Sequence, residues 1–224
     1  MVRLKPFSTQ TKRSVMMRLQ RILLVSFLAF FMSLGSLVSS VAQAEDPAQV
    51  VQSVSDRAVA KIGKGGSWSS RRSVAKSIVR NRFDANLIGR LSLGPYWKNA
   101  SKSERKLYLK TFEVSLTEYF LEVFSGYAGE KLKVVRSSKD SRNPKYHVVH
   151  SLLHQANGPK AKVDWKLYKR GGHFVAVDIK VKGLSLVHSY KLEYTRYLKR
   201  HNGNMGKLIE WMEKDIRKNK AARS

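Results

Sequence analysis

The chain of 224 residues has no cysteine, so disulfide staples, thiolate metal sites and a cysteine nucleophile are all excluded and packing alone must hold the fold. Acidic residues are scarce too, 16 against 43 Lys and Arg, and none occurs between Met1 and Ala44. No apolar run reaches the roughly twenty residues that span a bilayer. The longest, Ile22 to Leu34, gives way to Gly35, Ser36, Ser39 and Ser40. Internal repeats and low-complexity linkers are absent as well.

What the first 44 residues do contain is ordered. Arg3, Lys5, Lys12, Arg13, Arg18 and Arg21 precede the apolar stretch, and Ala42-Gln43-Ala44 follows it. Basic region, apolar region and small-residue site are the three parts of a secretory signal, with cleavage expected after Ala44. Met16 or Met17 would serve as the start as well as Met1. The organisation expected is therefore a cleaved signal peptide over 1–44 and a single domain over 45–224, exported to a bacterial periplasm, with no cysteine after Ala44 to carry a lipid anchor. Six of the 43 basic residues lie in the signal, leaving 37 against 16 acidic ones, a balance of +21. Such a surface seeks anions. Outside the cytoplasm these are phospholipid headgroups, lipopolysaccharide or wall polymers rather than nucleic acid. Arg72, Lys76 and Arg80, four apart, stack on one helix face.

Periodicity predicts helices over Pro47 to Ile62 and Ser69 to Phe83. A short helix capped by Asp84 should stop at Gly94-Pro95, and a long one should open on the Ser101-x-x-Glu104 capping box and run to about Ser125. The period then becomes two. Four strands are expected, Lys131 to Ser137, Tyr146 to His154, Ala161 to Lys169 and His173 to Val181, with Val175, Val177, Ile179 and Val181 on one side of the last and a Gly171-Gly172 hairpin before it. Helical steps return at Val187, Tyr190, Tyr194, Tyr197 and Leu198, and a last helix is capped by Asn204. The fold class is α+β: helices packed on one side of a curved, mainly antiparallel four-stranded sheet, with a hydrophobic pocket between the layers.

The chemistry-bearing patterns are weak. Gly183-Leu184-Ser185-Leu186 begins like a nucleophile elbow, but Val187 stands where the second glycine belongs. His147, His150 and His154 would converge on a metal only in a helix, and the segment reads as a strand. Acidic residues sit mostly beside Lys or Arg, and no carboxylate pair is marked. No catalytic residue, metal site or cofactor is assigned. A lipid- or wall-directed hydrolase using Ser185 and a basic polyanion-binding scaffold remain as alternatives.

Leu91-Ser92-Leu93-Gly94-Pro95-Tyr96-Trp97, followed by a polar turn and the long helix, resembles the MlaC family, the toluene-tolerance proteins that bind phospholipid in the periplasm. Val163-Asp164-Trp165-Lys166-Leu167 and the run from Val177 to Leu186 are similar to that family's last strands. The likeness extends in order from about Ala48 to Ile216. It implies a cofactor-free carrier that holds phospholipid tails in an apolar pocket. It also implies partners: an inner-membrane ABC transporter complex and an outer-membrane lipoprotein complex, with transient contact to anionic membrane surfaces, as in the maintenance of outer membrane lipid asymmetry. Around Trp97, Trp165 and Glu193-Tyr194 the aromatic detail is closer to branches associated with hopanoid lipids. Under this resemblance the residues expected to line the pocket are Leu87, Leu91, Tyr96, Trp97, Phe112, Leu116, Tyr119, Phe120, Trp165, Val175, Val177, Leu184, Leu186, Val187 and Tyr190. Lysines and arginines are expected at its mouth, against the lipid phosphate.

Overall fold

The computed structural model describes residues 45–63, 66–126, 130–154 and 159–223. The signal expected over 1–44 lies outside them. Glu45–Ser224 forms one compact unit.

Helix α1, Pro47–Ala58, starts where Asp46 accepts the Ala48 N–H and passes into a π-turn, Val59–Gly63. Helix α2, Trp68–Arg82, is capped by Ser67, and α3, Ala85–Leu93, by Asp84 through the Leu87 N–H. Helix α3 ends on Gly94, whose φ of 56° suits glycine, and Pro95 leads into the single turn α4, Tyr96–Asn99. The capping box expected at the head of α5, Lys102–Ser125, is complete: Ser101 accepts from the Glu104 N–H at 3.2 Å, and Glu104 accepts from the Ser101 N–H at 2.7 Å. After the sheet come α6, Leu186–Arg200, capped by Ser185, and α7, Met205–Ala221, capped by Asn204.

The strands are β1 Lys131–Lys139, β2 Tyr146–His154, β3 Ala161–Arg170, β4 His173–Val181 and β5 Leu184–Ser185. They pair antiparallel in sequence order as one open sheet, so among the described residues the sheet has five strands rather than the four expected. The extra strand is two residues long, too short for a period-two pattern to show. Gly171 and Gly172, with φ of 57° and 87°, make the β3–β4 hairpin turn.

A bulge corrects a second expectation. Lys166 pairs with Asp178 and Leu167 with Ala176, which leaves Val177 without a partner. The extra residue switches the side-chain alternation, so Phe174, Ala176, Ile179 and Val181 share the face of Leu167, Trp165 and Val163, while Val175 falls on the opposite face opposite Tyr168. Val175, Val177, Ile179 and Val181 therefore do not form one stripe.

Helix α5 is the centre of the helical layer. It packs against α2, α3 and α7, α3 packs against α6, and α1 lies over β1 and β2. Tyr108, Phe112, Leu116 and Leu121 of α5 are fully buried with Ile88, Leu93, Tyr194 and Leu198. Part of the basic stripe on α2 turns inward to this helix: Arg72 Nε is 2.7 Å from Glu118, itself only 2 % exposed, and Arg80 Nε is 2.6 Å from Glu113. Arg223 adds a second guanidinium to Glu118 at 3.4 Å, so the buried carboxylate is shared by two cations.

Candidate functional site

Between the sheet and helices α5, α6 and α7 lies a cavity of about 880 Å³. The sheet supplies an apolar floor: Leu132 from β1, Leu153 from β2, Ala161, Val163 and Trp165 from β3, Ile179 and Val181 from β4. These residues are cross-strand neighbours, since Val163 pairs with Val181 and Trp165 with Ile179, so one face of the ladder makes a continuous surface. Trp165 is held in place by a bond from its indole N–H to Ser151 Oγ at 3.2 Å, and Ser151 in turn donates to the Val163 carbonyl at 2.7 Å. Helix α5 contributes Tyr119, Phe120, Val123 and Phe124, β5 and α6 contribute Leu184, Leu186, Tyr190 and Tyr194, and α7 contributes Trp211 and Met212. Aromatic rings contact in sequence around one wall, Tyr119–Tyr190 at 6.4 Å, Tyr190–Tyr194 at 5.5 Å and Tyr194–Trp211 at 6.3 Å between centroids.

Six of the residues named from the sequence line this space: Tyr119, Phe120, Trp165, Leu184, Leu186 and Tyr190. The other nine do not. Phe112 and Leu116 are fully buried on another side of α5, where Phe112 packs on Tyr108 and Tyr194, and Val177 is buried in the sheet. Leu91 is 44 % exposed on α3, and Leu87 and Val187 are half-buried outside the cavity. Tyr96 packs near Gly203, while Trp97 lies under the Arg105 guanidinium, 5.2 Å from its ring, as Arg105 bonds the Trp97 carbonyl. Val175, carried to the far face by the bulge, lines a different concavity of about 500 Å³ with Arg57, Arg80, Arg82, Arg170 and His173. Three of those arginines are engaged already, with Glu113, Glu45 and Asp84.

The polar lining runs against expectation. Glu122, Glu130, Glu193 and Asp215 face the main cavity, with Lys182 the one Lys or Arg among its described lining residues. Burial, and then the neighbouring Asp215, raises the Glu193 carboxyl above its ordinary value, which Arg196 partly opposes. Burial likewise raises the phenols of Tyr119, Tyr190 and Tyr194, so all three stay neutral hydrogen-bonding groups at physiological pH.

Two of the residues considered for catalysis or metal binding make local structural contacts. Ser185 Oγ accepts the His188 N–H at 3.1 Å as the cap of α6. His150 Nδ1 lies 2.7 Å from Asp164 on the neighbouring strand, and no group of three metal-ligating side chains converges among the described residues. None of the described helices is long and apolar enough to cross a membrane.

A family model described as MlaC protein matches residues 48–214. None of the curated proteins matches the chain. A solved structure of a phospholipid-binding protein from Ralstonia solanacearum, in complex with a phospholipid, superposes with a TM-score of 0.63 at 17 % identity, covering 78 % of this chain and 99 % of that one. At that identity the likeness establishes a shared fold.

Proposed function

The chain belongs to the MlaC family, and from that footing we propose that it is a periplasmic lipid carrier, exported by a signal cleaved after Ala44. It would hold phospholipid or hopanoid-like tails in the cavity between sheet and helices. It would exchange them with an inner-membrane ABC transporter complex and an outer-membrane lipoprotein complex. The observation that carries the reading is the cavity itself. About 880 Å³ of space floored by Val163, Trp165, Ile179 and Val181 is toward the upper end of the range for small-molecule sites, roughly 300–1,000 Å³. The fold shared with the Ralstonia protein, which was solved with a phospholipid bound, supports it.

The energetics explain why a protein is needed. Exposing acyl chains to water costs about 0.8 kcal/mol per CH₂, so two chains of roughly thirty carbons face on the order of 25 kcal/mol if bare. An apolar lining exchanges hydrocarbon for hydrocarbon and brings the transfer near to neutral. Direction must then come from the partner complexes, and the carrier has only to bind reversibly.

Native mass spectrometry of residues 45–224 purified from a bacterial periplasm tests this. The expected spectrum shows protein with bound lipid that is released only on denaturation; uniformly empty protein would sink the reading. Ile179→Trp puts a large side chain into the cavity from a half-buried strand position. It should lower lipid occupancy severalfold with the far-UV circular dichroism unchanged.

A further inference from the structure

The main cavity differs in charge from the rest of the molecule. Acidic residues number 16 against 43 Lys and Arg, yet among the described residues four carboxylates border this one space, three of them, Glu122, Glu193 and Asp215, at exposed positions on its rim. Three of them repeat an arrangement on three helices: an aromatic ring and, one helical turn further on, a carboxylate. The pairs are Tyr119 and Glu122 on α5, Tyr190 and Glu193 on α6, and Trp211 and Asp215 on α7. Spacings of three and four residues put both members on the same helix face. The three pairs converge on one wall of the cavity, where the rings of Tyr119, Tyr190, Tyr194 and Trp211 contact in sequence. Arg223 offsets Glu122 at 3.2 Å, whereas Asp215 accepts a bond from Asn219 and Glu193 has Arg196 in its vicinity; neither carries a salt bridge among the described residues.

A second observation points to a bound molecule in the same cavity. Ser55 lines it, is 3 % exposed, and its Oγ has no hydrogen-bond partner among the described residues. A buried hydroxyl without a partner is an exception that calls for an explanation, and a ligand oxygen or ordered water reaching it after a small side-chain shift would supply one.

Aromatic faces flanked by carboxylates are the chemistry that recognises an organic ammonium: the ring quadrupole and the carboxylates attract the same charge. They repel a headgroup whose only charge is its phosphate. We propose that this end of the cavity selects lipids whose headgroup carries an ammonium group, with Glu193 and Asp215 as counter-charges and Tyr190 and Trp211 as ring walls. The inference rests on the lipid-carrier reading and names the class of lipid. Lys182, at the same cavity, is the group available to the headgroup phosphate. The preference would run against the molecule's overall charge, which by itself favours anionic lipids.

The test uses delipidated protein of residues 45–224 incubated with vesicles of equal parts dioleoyl phosphatidylethanolamine and dioleoyl phosphatidylglycerol, identical in their chains. Bound lipid is extracted and counted by mass spectrometry. The expected result is about threefold enrichment of the ethanolamine lipid, the size of effect that one ammonium contact at an exposed rim provides. In Glu193→Gln/Asp215→Asn the enrichment should collapse toward parity. Glu193→Gln alone, at an exposed position, should lose part of the enrichment and keeps the test available if the double variant does not fold. Parity or glycerol preference in the unmodified protein, or enrichment that survives the double variant, overturns the inference. Protein that takes up neither lipid overturns the carrier reading, and this inference with it.

Discussion

Ser151 is a small side chain with an outsized structural role. It is 2 % exposed, donates to the Val163 carbonyl and accepts from the Trp165 indole, so one hydroxyl fixes the largest ring on the cavity floor. Its removal leaves a buried indole N–H with no acceptor, and an unsatisfied buried donor costs about 1–3 kcal/mol. Ser151→Ala should therefore lower the urea midpoint by that much stability with an unchanged m-value. An unmoved midpoint would mean that the indole finds another acceptor. The same scale shows why only some of the expected pocket residues face the cavity. Tyr119 and Phe120 of α5 face it while Phe112 and Leu116 face solid core. Helical spacing assigns each residue to an angular position on its own helix, but α5 has neighbours on several sides, and spacing carries no information on which side holds the empty space.

At the scale of elements, local chemistry was legible because it is read from adjacent residues. Ser101 and Glu104 close their capping box, Asp84 and Asn204 cap their helices, and Gly171-Gly172 turns the hairpin. Features set by pairing between distant segments were not. The bulge at Val177 exists because β3 and β4 slip by one residue, and β5 exists because Leu184 and Ser185 meet the end of β4. The carboxylate-lined wall escaped for the same reason: the aromatic–carboxylate pairs on α5, α6 and α7 are each short-range patterns, but their convergence is tertiary. The β1–β2 connection offers an element-scale prediction. Asp140 accepts bonds from Lys166 and from the Arg142 and Asn143 N–H groups, which hold its carboxyl down at about 2 against an ordinary 3.8. A carboxylate with a depressed folded pKa stabilises above its unfolded pKa, and that contribution is lost as pH falls through the folded one. Amide protection of the β1–β2 hairpin should consequently decline between about pH 4 and pH 2, and Asp140→Asn should flatten that decline. An identical profile in the variant would assign the loss to another group.

For the molecule as a whole, the two kinds of lipid contact proposed differ in physical origin and should separate under salt. Docking onto a membrane surface would draw on the +21 balance of residues 45–224, an interaction between exposed charges in water. The Debye length falls from about 10 Å at 0.1 M salt to about 3 Å at 1 M, so this attraction is largely lost over that range. Tails lodged against Val163, Trp165, Ile179 and Val181 are held by exclusion from water, which salt does not screen and excluded salts strengthen. Cosedimentation of the protein with phosphatidylglycerol vesicles should accordingly collapse between 0.1 and 1 M salt, as the Debye length shrinks roughly threefold. Lipid already bound should remain with the protein through the same titration. Lipid lost in parallel with vesicle binding would place it on the charged exterior, and the cavity would then not be where the tails reside.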